Sequence, residues 1–264
     1  MIHEQENPLD VALQLAADEP ARRPEFYRLL LESSVYILGH TDGAPRETQA
    51  LEAGEKISIQ NWVRNDGLPV IPFFTSLTAL QRAIEQEVAY MVLPARSLFE
   101  MTKGSFLVMN PRSSYGKEFF PNEIEALLSE GVNRLLEQRV TQKATEVLLG
   151  QPANYPSKMV DSLTAFLSKR SNVKAAYLAL MHDPSQDEKP HLIVGIEAEG
   201  EIDQIIREVG VVVGDTAPNG EPVDLMRVER GDHGLSEYFV RDVKPFYERR
   251  WGSKLKSFLG IGRA

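Results

Sequence analysis

The sequence predicts an α/β (α+β) protein made of two mixed α/β domains in tandem, each a small sheet with helices packed on it. Three observations lead there. The chain has 264 residues, about two domains of ordinary size, each able to bury its own core. Short apolar runs bounded by turn residues alternate with helix-spaced apolar patterns along nearly all of it. The run Asp66-Gly67-Leu68-Pro69-Val70-Ile71-Pro72-Phe73-Phe74-Thr75-Ser76-Leu77 then gives a turn, a buried strand and a helix start without a break. The polar stretch Gly131 to Gln142 places the boundary near residue 140, giving domains 1–140 and 141–264.

In the first domain, Leu9, Leu13 and Leu15 and then Phe26, Leu29, Leu30 and Leu31 predict two short helices split at Glu19-Pro20, with Pro24 in the first turn of the second. Val35 to Leu38 reads as a strand, Thr41 to Gly54 as a surface loop, and Lys56 to Gln60 as an edge strand. Within the opening motif, consecutive Phe73 and Phe74 must face opposite sides of their strand, one into the core and one toward a helix layer. Thr75 or Ser76 supplies the cap of a helix carrying Leu77, Leu80, Ala83 and Ile84. Ala89 to Leu93 is a further strand, Pro94 opens a short helix through Leu98, Phe99 and Met101, and Phe106 to Met109 is followed by a loop from Asn110 to Lys117. A helix begins at Pro121 and carries Ile124, Leu127 and Leu128.

In the second domain, Val147 to Leu149 forms the first strand, and a helix from Pro156 carries Met159, Val160, Leu163, Phe166 and Leu167. Val173 to Met181 and His191 to Ile196 read as a hairpin across the polar turn between them. A helix around Ile202, Ile205, Ile206 and Val209 leads into Val211-Val212-Val213, with a loop from Gly214 to Pro222. A strand near Val223 to Met226 and a helix from Leu235 to Val240 complete the plan.

Composition excludes several chemistries. There is no cysteine, so disulfides, thiolate nucleophiles, sulfane-sulfur carriage, iron–sulfur clusters and cysteine zinc sites are all removed. The net charge of −9 disfavours general nucleic-acid binding. That charge is uneven: from Arg241 to Ala264, seven basic residues stand against Asp242 and Glu248. The acidic N-terminus is unlike a signal peptide, and no apolar run is long enough to span a membrane, so a cytoplasmic protein is expected.

Reaction signatures are missing too. His3, His40, His182, His191 and His233 show no metal-ligand spacing, Gly104-Ser105 is no nucleophile elbow, and Gly260-Ile261-Gly262 lacks a following helix. The stretch Gly214 to Pro222 has the acceptors and turn formers of a small-ligand cradle, but any tight connection uses the same residues. No catalytic residue, metal or cofactor is therefore assigned. The strongest binding candidate is Tyr247-Glu248-Arg249-Arg250-Trp251, followed by Leu255 and Phe258 among Lys254 and Lys256. Arginine beside tryptophan favours protein interfaces, whereas a basic amphipathic pattern also suits an anionic membrane or RNA. The competing reading docks this segment on its own domain through Phe246 and Trp251.

Several strings resemble the bacterial enhanced-serine-sensitivity family, SseB, over nearly the whole length. They include Arg28-Leu29-Leu30-Leu31-Glu32-Ser33, Val70 to Leu77, Leu98-Phe99-Glu100-Met101-Thr102, Gly116-Lys117-Glu118-Phe119, Asp161-Ser162-Leu163, Gly195-Ile196-Glu197-Ala198, Asp215-Thr216 and Pro245 to Trp251. The resemblance implies an N-terminal and a C-terminal SseB domain, a bacterial cytoplasmic protein, a link to serine tolerance, and association with a rhodanese-like sulfurtransferase. It supplies no catalytic residue. The expectation is a non-enzymatic protein that binds another protein; the alternative is an amino-acid sensor or unrecognised enzyme with a pocket between the domains.

Overall fold

A computed structural model describes residues 7–41, 57–64, 66–133, 147–185 and 189–249. The chain divides into two compact units, Met1–Leu135 and Leu136–Ala264.

The first unit begins with helix α1 (Pro8–Asp18), capped by the Asn7 side chain, which accepts the Leu9 amide at 2.9 Å. Leu9 and Leu13 are buried, but Leu15 lies on the outer side of the helix and is exposed, a correction to the expected apolar set. A single 3-10 turn, Pro20–Arg22, then leads into α2 (Arg23–Glu32), with Pro24 in its first turn as the sequence predicts.

Among the described residues seven strands follow: β1 (Ser34–Thr41), β2 (Ile57–Ile59), β3 (Trp62–Val63), β4 (Pro69–Phe74), β5 (Tyr90–Pro94), β6 (Leu107–Met109) and β7 (Lys117–Phe119). The sheet runs β2-β1-β4-β6-β7, with β3 also on β4 and β5 also on β1; β4 and β6 are parallel. β2 sits at an end of this path, as the alternation Ile57-Ser58-Ile59 anticipates. It approaches β1 so closely that a side chain on Gly39 would place its Cβ 2.3 Å from the Ser58 carbonyl oxygen, so only glycine fits there. The loop expected over 41–54 lies, apart from Thr41 at the end of β1, outside the described residues.

Phe73 and Phe74 point to opposite faces, as adjacent strand residues must. Phe73 meets the rings of Phe99 and Phe119 at 5.9 and 5.8 Å, while Phe74 packs with Leu38, Ala79, Leu80 and Ala83 under helix α3 (Leu77–Ala83). Ser76, not Thr75, caps α3, accepting the Ala79 amide at 3.1 Å. Thr75 instead exchanges bonds with Asn110 at 2.7 and 2.9 Å and donates to Asp10, while the Asn7 amide donates to its carbonyl at 2.7 Å. This buried network ties the start of α1 to the ends of β4 and β6. Helix α4 (Ala95–Met101) follows β5 directly, and α5 (Pro121–Glu130) ends at Gly131, left-handed at φ 71°.

Two strands of this unit depart from expectation. Lys117 closes a predicted loop but begins β7, because antiparallel pairing with β6 buries Phe119 against Phe73 and Phe99. β3 is too short to leave a periodic signal and exists through its pairing with β4.

The second unit holds β8 (Leu148–Gly150), α6 (Ser157–Leu167), β9 (Val173–His182), β10 (His191–Ala198), α7 (Asp203–Thr216), β11 (Val223–Arg227), α8 (Leu235–Asp242) and β12 (Tyr247–Glu248). Its sheet runs β11-β10-β9-β12, with β8 also on β9. β9 and β10 form the expected antiparallel hairpin, and β11 returns parallel to β10 through α7. One face carries Ala175, Tyr177, Ala179 and Ile193 against Val228, Phe239 and Val243. The alternate residues Ala176, Leu178, Val194 and Ile196 are buried on the other face.

Helix α7 runs on through Val211-Val212-Val213 to Thr216, so the connection expected from Gly214 begins three residues later. A valine costs a helix only about 0.5 kcal/mol in propensity, whereas burying one contributes roughly 1.5–3 kcal/mol. Val209 and Val211 to Val213 are all buried, so packing decides the conformation. Glu208 is buried beside them, held by Arg170 at 2.7 Å.

Candidate functional site

The charged residues of the second unit converge where β10, β9 and β12 lie side by side. Ala175 is paired with Glu197 on one side and Glu248 on the other, so both carboxylates project from the same face across a small residue. Farther along, the register passes from Glu197↔Ala175 to Ala198↔Val173, which leaves Lys174 without a partner in the ladder. A bulge of this kind re-aims a side chain, and Lys174 lines the same depression as Ala175. Arg230 and Arg249 line it too, and this open depression holds about 250 Å³.

The deepest group is Glu197, with only 6% of its side chain exposed. A buried carboxylate requires partners, and it has three bonds: Arg230 Nε and Nη2 donate at 2.7 and 3.1 Å, and the Tyr177 hydroxyl donates at 3.1 Å. Burial, reinforced by the Glu197 charge and hydrogen bond, pushes the Tyr177 phenol up to about 12. The same carboxylate holds the Arg230 guanidinium above its ordinary range. Lys174 pairs with Glu199 at 2.9 Å and keeps that carboxyl below its usual range, chiefly by hydrogen bonding.

The five predicted contact residues divide. Tyr247 and Glu248 form β12, and the Arg249 amide donates to the Lys174 carbonyl at 2.8 Å. The Phe246 amide likewise donates to the Ala176 carbonyl, so residues 246–249 dock on their own sheet, while the Trp251 half of the competing sequence reading lies outside the described residues. Docking leaves Glu248 and Arg249 exposed at the rim of the depression. Arg250 and Trp251 lie outside the described residues. Sequence reasoning missed Lys174, Tyr177, Glu197 and Arg230, although an acid in the apolar run Leu192 to Ala198 was a signal for one of them.

Other candidates are dispersed. Gly214, Asp215 and Thr216 are helical, so of the stretch 214–222, weighed as a ligand cradle or a tight connection, only the part after Thr216 connects α7 to β11. The reason is the burial of the valine run that carries α7 through them. Among the described residues no cluster of three metal-ligating side chains occurs, and no helix is long and apolar enough to cross a membrane. His191 bonds Asp224 at 2.9 Å, and the His233 side chain is almost fully exposed. The first unit has a shallow groove of about 380 Å³ along Trp62, Val70, Pro72 and Val108.

Residues 9–126 match the family model of the SseB protein N-terminal domain, and residues 141–249 match that of the SseB protein C-terminal domain. The chain belongs to the SseB family. Protein SseB of Escherichia coli (strain K12) and Protein SseB of Shigella flexneri are each 41% identical to it over 255 residues, 97% of this chain and 97% of theirs. No solved structure matches it. The charged depression lies wholly within the part matched by the SseB C-terminal domain, which ends at Arg249.

Proposed function

We propose that this SseB-family protein works in the cytoplasm by binding another protein rather than by catalysis. Its contact surface is centred on Glu248 and Arg249 at the depression of the second unit, with Tyr247 on the opposite face of β12 and Arg250 and Trp251 following in sequence. One observation carries this reading: the β12 pairing presents Glu248 and Arg249 outward beside Lys174 and Arg230, so exposed charges of both signs sit on a rigid sheet edge. Such an arrangement sets register and specificity with a complementary partner. The family resemblance implies a rhodanese-like sulfurtransferase as that partner. Without cysteine the chain carries no sulfane sulfur itself, so the link is one of contact or regulation.

A second reading rests on the same depression, whose cations and carboxylates match the two ionised ends of an amino acid such as serine. Affinity capture from a bacterial lysate tests the first, comparing the intact chain with Lys174→Ala/Arg249→Ala and with Arg249→Ala/Arg250→Ala/Trp251→Ala. Recovery of a rhodanese-like sulfurtransferase is expected from the intact chain and about tenfold less from either variant, a loss of about 1.4 kcal/mol. Equal recovery from all three removes the surface from the proposal. Thermal unfolding with serine distinguishes the second reading, because ligand at 100 times its dissociation constant stabilises by about 2.7 kcal/mol.

A further inference from the structure

Strand β5 pairs only with β1 among the described residues, which leaves its other edge open. The Ala95 amide donates to Ser33 at 2.9 Å and the Gly39 amide donates to Ala89 at 3.0 Å. With the antiparallel register Ser34↔Pro94 through Leu38↔Tyr90, these two bonds fix the alternation along β5. Ala89, Met91, Leu93 and Ala95 therefore turn their backbone groups toward β1. Tyr90 and Val92 turn both N–H and C=O the other way, and among the described residues no strand pairs with that edge.

The side chains on this edge are apolar as well as exposed. Tyr90 is 47% and Val92 52% accessible, and the Tyr90 ring stands 6.0 Å from Tyr36 on the neighbouring strand, extending the patch inward. From Tyr90 to Leu93 there is no charged residue to guard the edge, and Pro94, which ends the strand on the same outward side and donates no hydrogen bond, limits the open stretch to Tyr90 and Val92. The charges lie just beyond the ends. Glu87 precedes the strand and Arg96 follows it, both exposed.

We propose that β5 is a dimerisation edge, on which two copies of this chain pair antiparallel across a two-fold axis at Met91. In that register Tyr90 of each copy faces Val92 of the other, an aromatic–β-branched pair, and the two exchange both backbone hydrogen bonds. Because the axis is perpendicular to the sheet, the Tyr36, Tyr90 and Val92 patches join on one face. Antiparallel pairing also brings Glu87 of one copy to the Arg96 end of the other, so opposite charges meet at both ends. One short strand edge is a small interface, so the dimer forms and dissociates with concentration. β5 shares no residue with the depression of the second unit.

Sedimentation velocity and amide hydrogen exchange on the full chain test it together. As concentration rises, the mass is expected to reach twice the 29.6 kDa of one chain, with the Tyr90 and Val92 amides protected only in the heavier species. Val92→Lys places a lysine on the edge and is expected to weaken association by about tenfold or more at an unchanged unfolding midpoint. If that variant unfolds early, the exposed pair decides: Glu87→Arg weakens the dimer and Glu87→Arg/Arg96→Glu restores it. A chain that stays monomeric, a dimer whose Tyr90 and Val92 amides exchange freely, or association indifferent to these variants overturns the proposal.

Discussion

Phe73→Ala is expected to destabilise the first unit by about 3–5 kcal/mol, the range for removing a fully buried ring from a core that cannot collapse around the gap. Phe73 has no accessible surface and stands between Phe99 of α4 and Phe119 of β7, whose own rings are 5.6 Å apart. The three rings join the central strand to a helix and to the short edge strand. Truncation therefore removes the contact that holds β7 in place as well as the transfer free energy of the ring. Denaturant unfolding followed by far-UV circular dichroism measures the loss. Phe120, 45% exposed and in contact with Phe106, is the control, and its alanine variant should lose less than about 1 kcal/mol. Equal losses at the two positions would show that the ring cluster does not organise the unit.

Glu197→Ala is expected to destabilise the second unit by about 2–3 kcal/mol, because it leaves the buried Tyr177 hydroxyl with no acceptor and opens a gap in the sheet face. Arg230 contributes little to that loss, since its side chain is 64% exposed and returns to water. Tyr177→Phe in the same chain removes the stranded hydroxyl, so the double variant should be more stable than the sum of the single losses by about 1 kcal/mol. Strict additivity would mean the two side chains do not interact. The pair also makes a signed pH prediction. The folded phenol is pushed up to about 12, so the neutral form is favoured by the fold. Its contribution is whole below the ordinary tyrosine range near 10 and is lost as pH climbs toward 12, roughly 2–3 kcal/mol in all. Tyr177→Phe should flatten that alkaline decline.

The elements that could be read from the chain are those whose signal is local. Val70 to Phe74, Val173 to Met181 and His191 to Ile196 are apolar runs long enough to declare themselves, and Ser76 and Pro24 mark helix starts by their own chemistry. Those that could not be read are made by their neighbours. β3 has two residues and β7 three, so no periodicity accumulates, and each exists because a longer strand offers it a ladder. The valines of α7 were misleading for the opposite reason. Their intrinsic preference is clear, but burial from both sides outweighs it.

The candidate site shows the same division. Glu248 and Arg249 stand out as part of a basic, aromatic segment, and the structure places both at the depression. Lys174, Tyr177, Glu197 and Arg230 come from separate places in the chain, and only the register of β9 against β10 and the loop before α8 brings them together. A bulge that turns Lys174 and a glycine at 195 opposite Tyr177 leave no linear motif. A Cβ at Gly195 would come within 2.7 Å of Val228 and 3.2 Å of Phe239, so that bare position is required by the Val228 side chain, just after β11, together with Phe239 of α8.

β12 rests on β9 although some seventy positions of chain separate the two, whereas β9 and β10 are joined by a short hairpin. The hairpin can therefore zip early, and the distant strand arrives only after a much larger loop has closed. Before β12 docks, the depression lacks the side that Glu248 and Arg249 supply. The side chains at positions 248 and 249 therefore take their places only once the distant strand has docked, so their geometry reports on completed folding of the second unit.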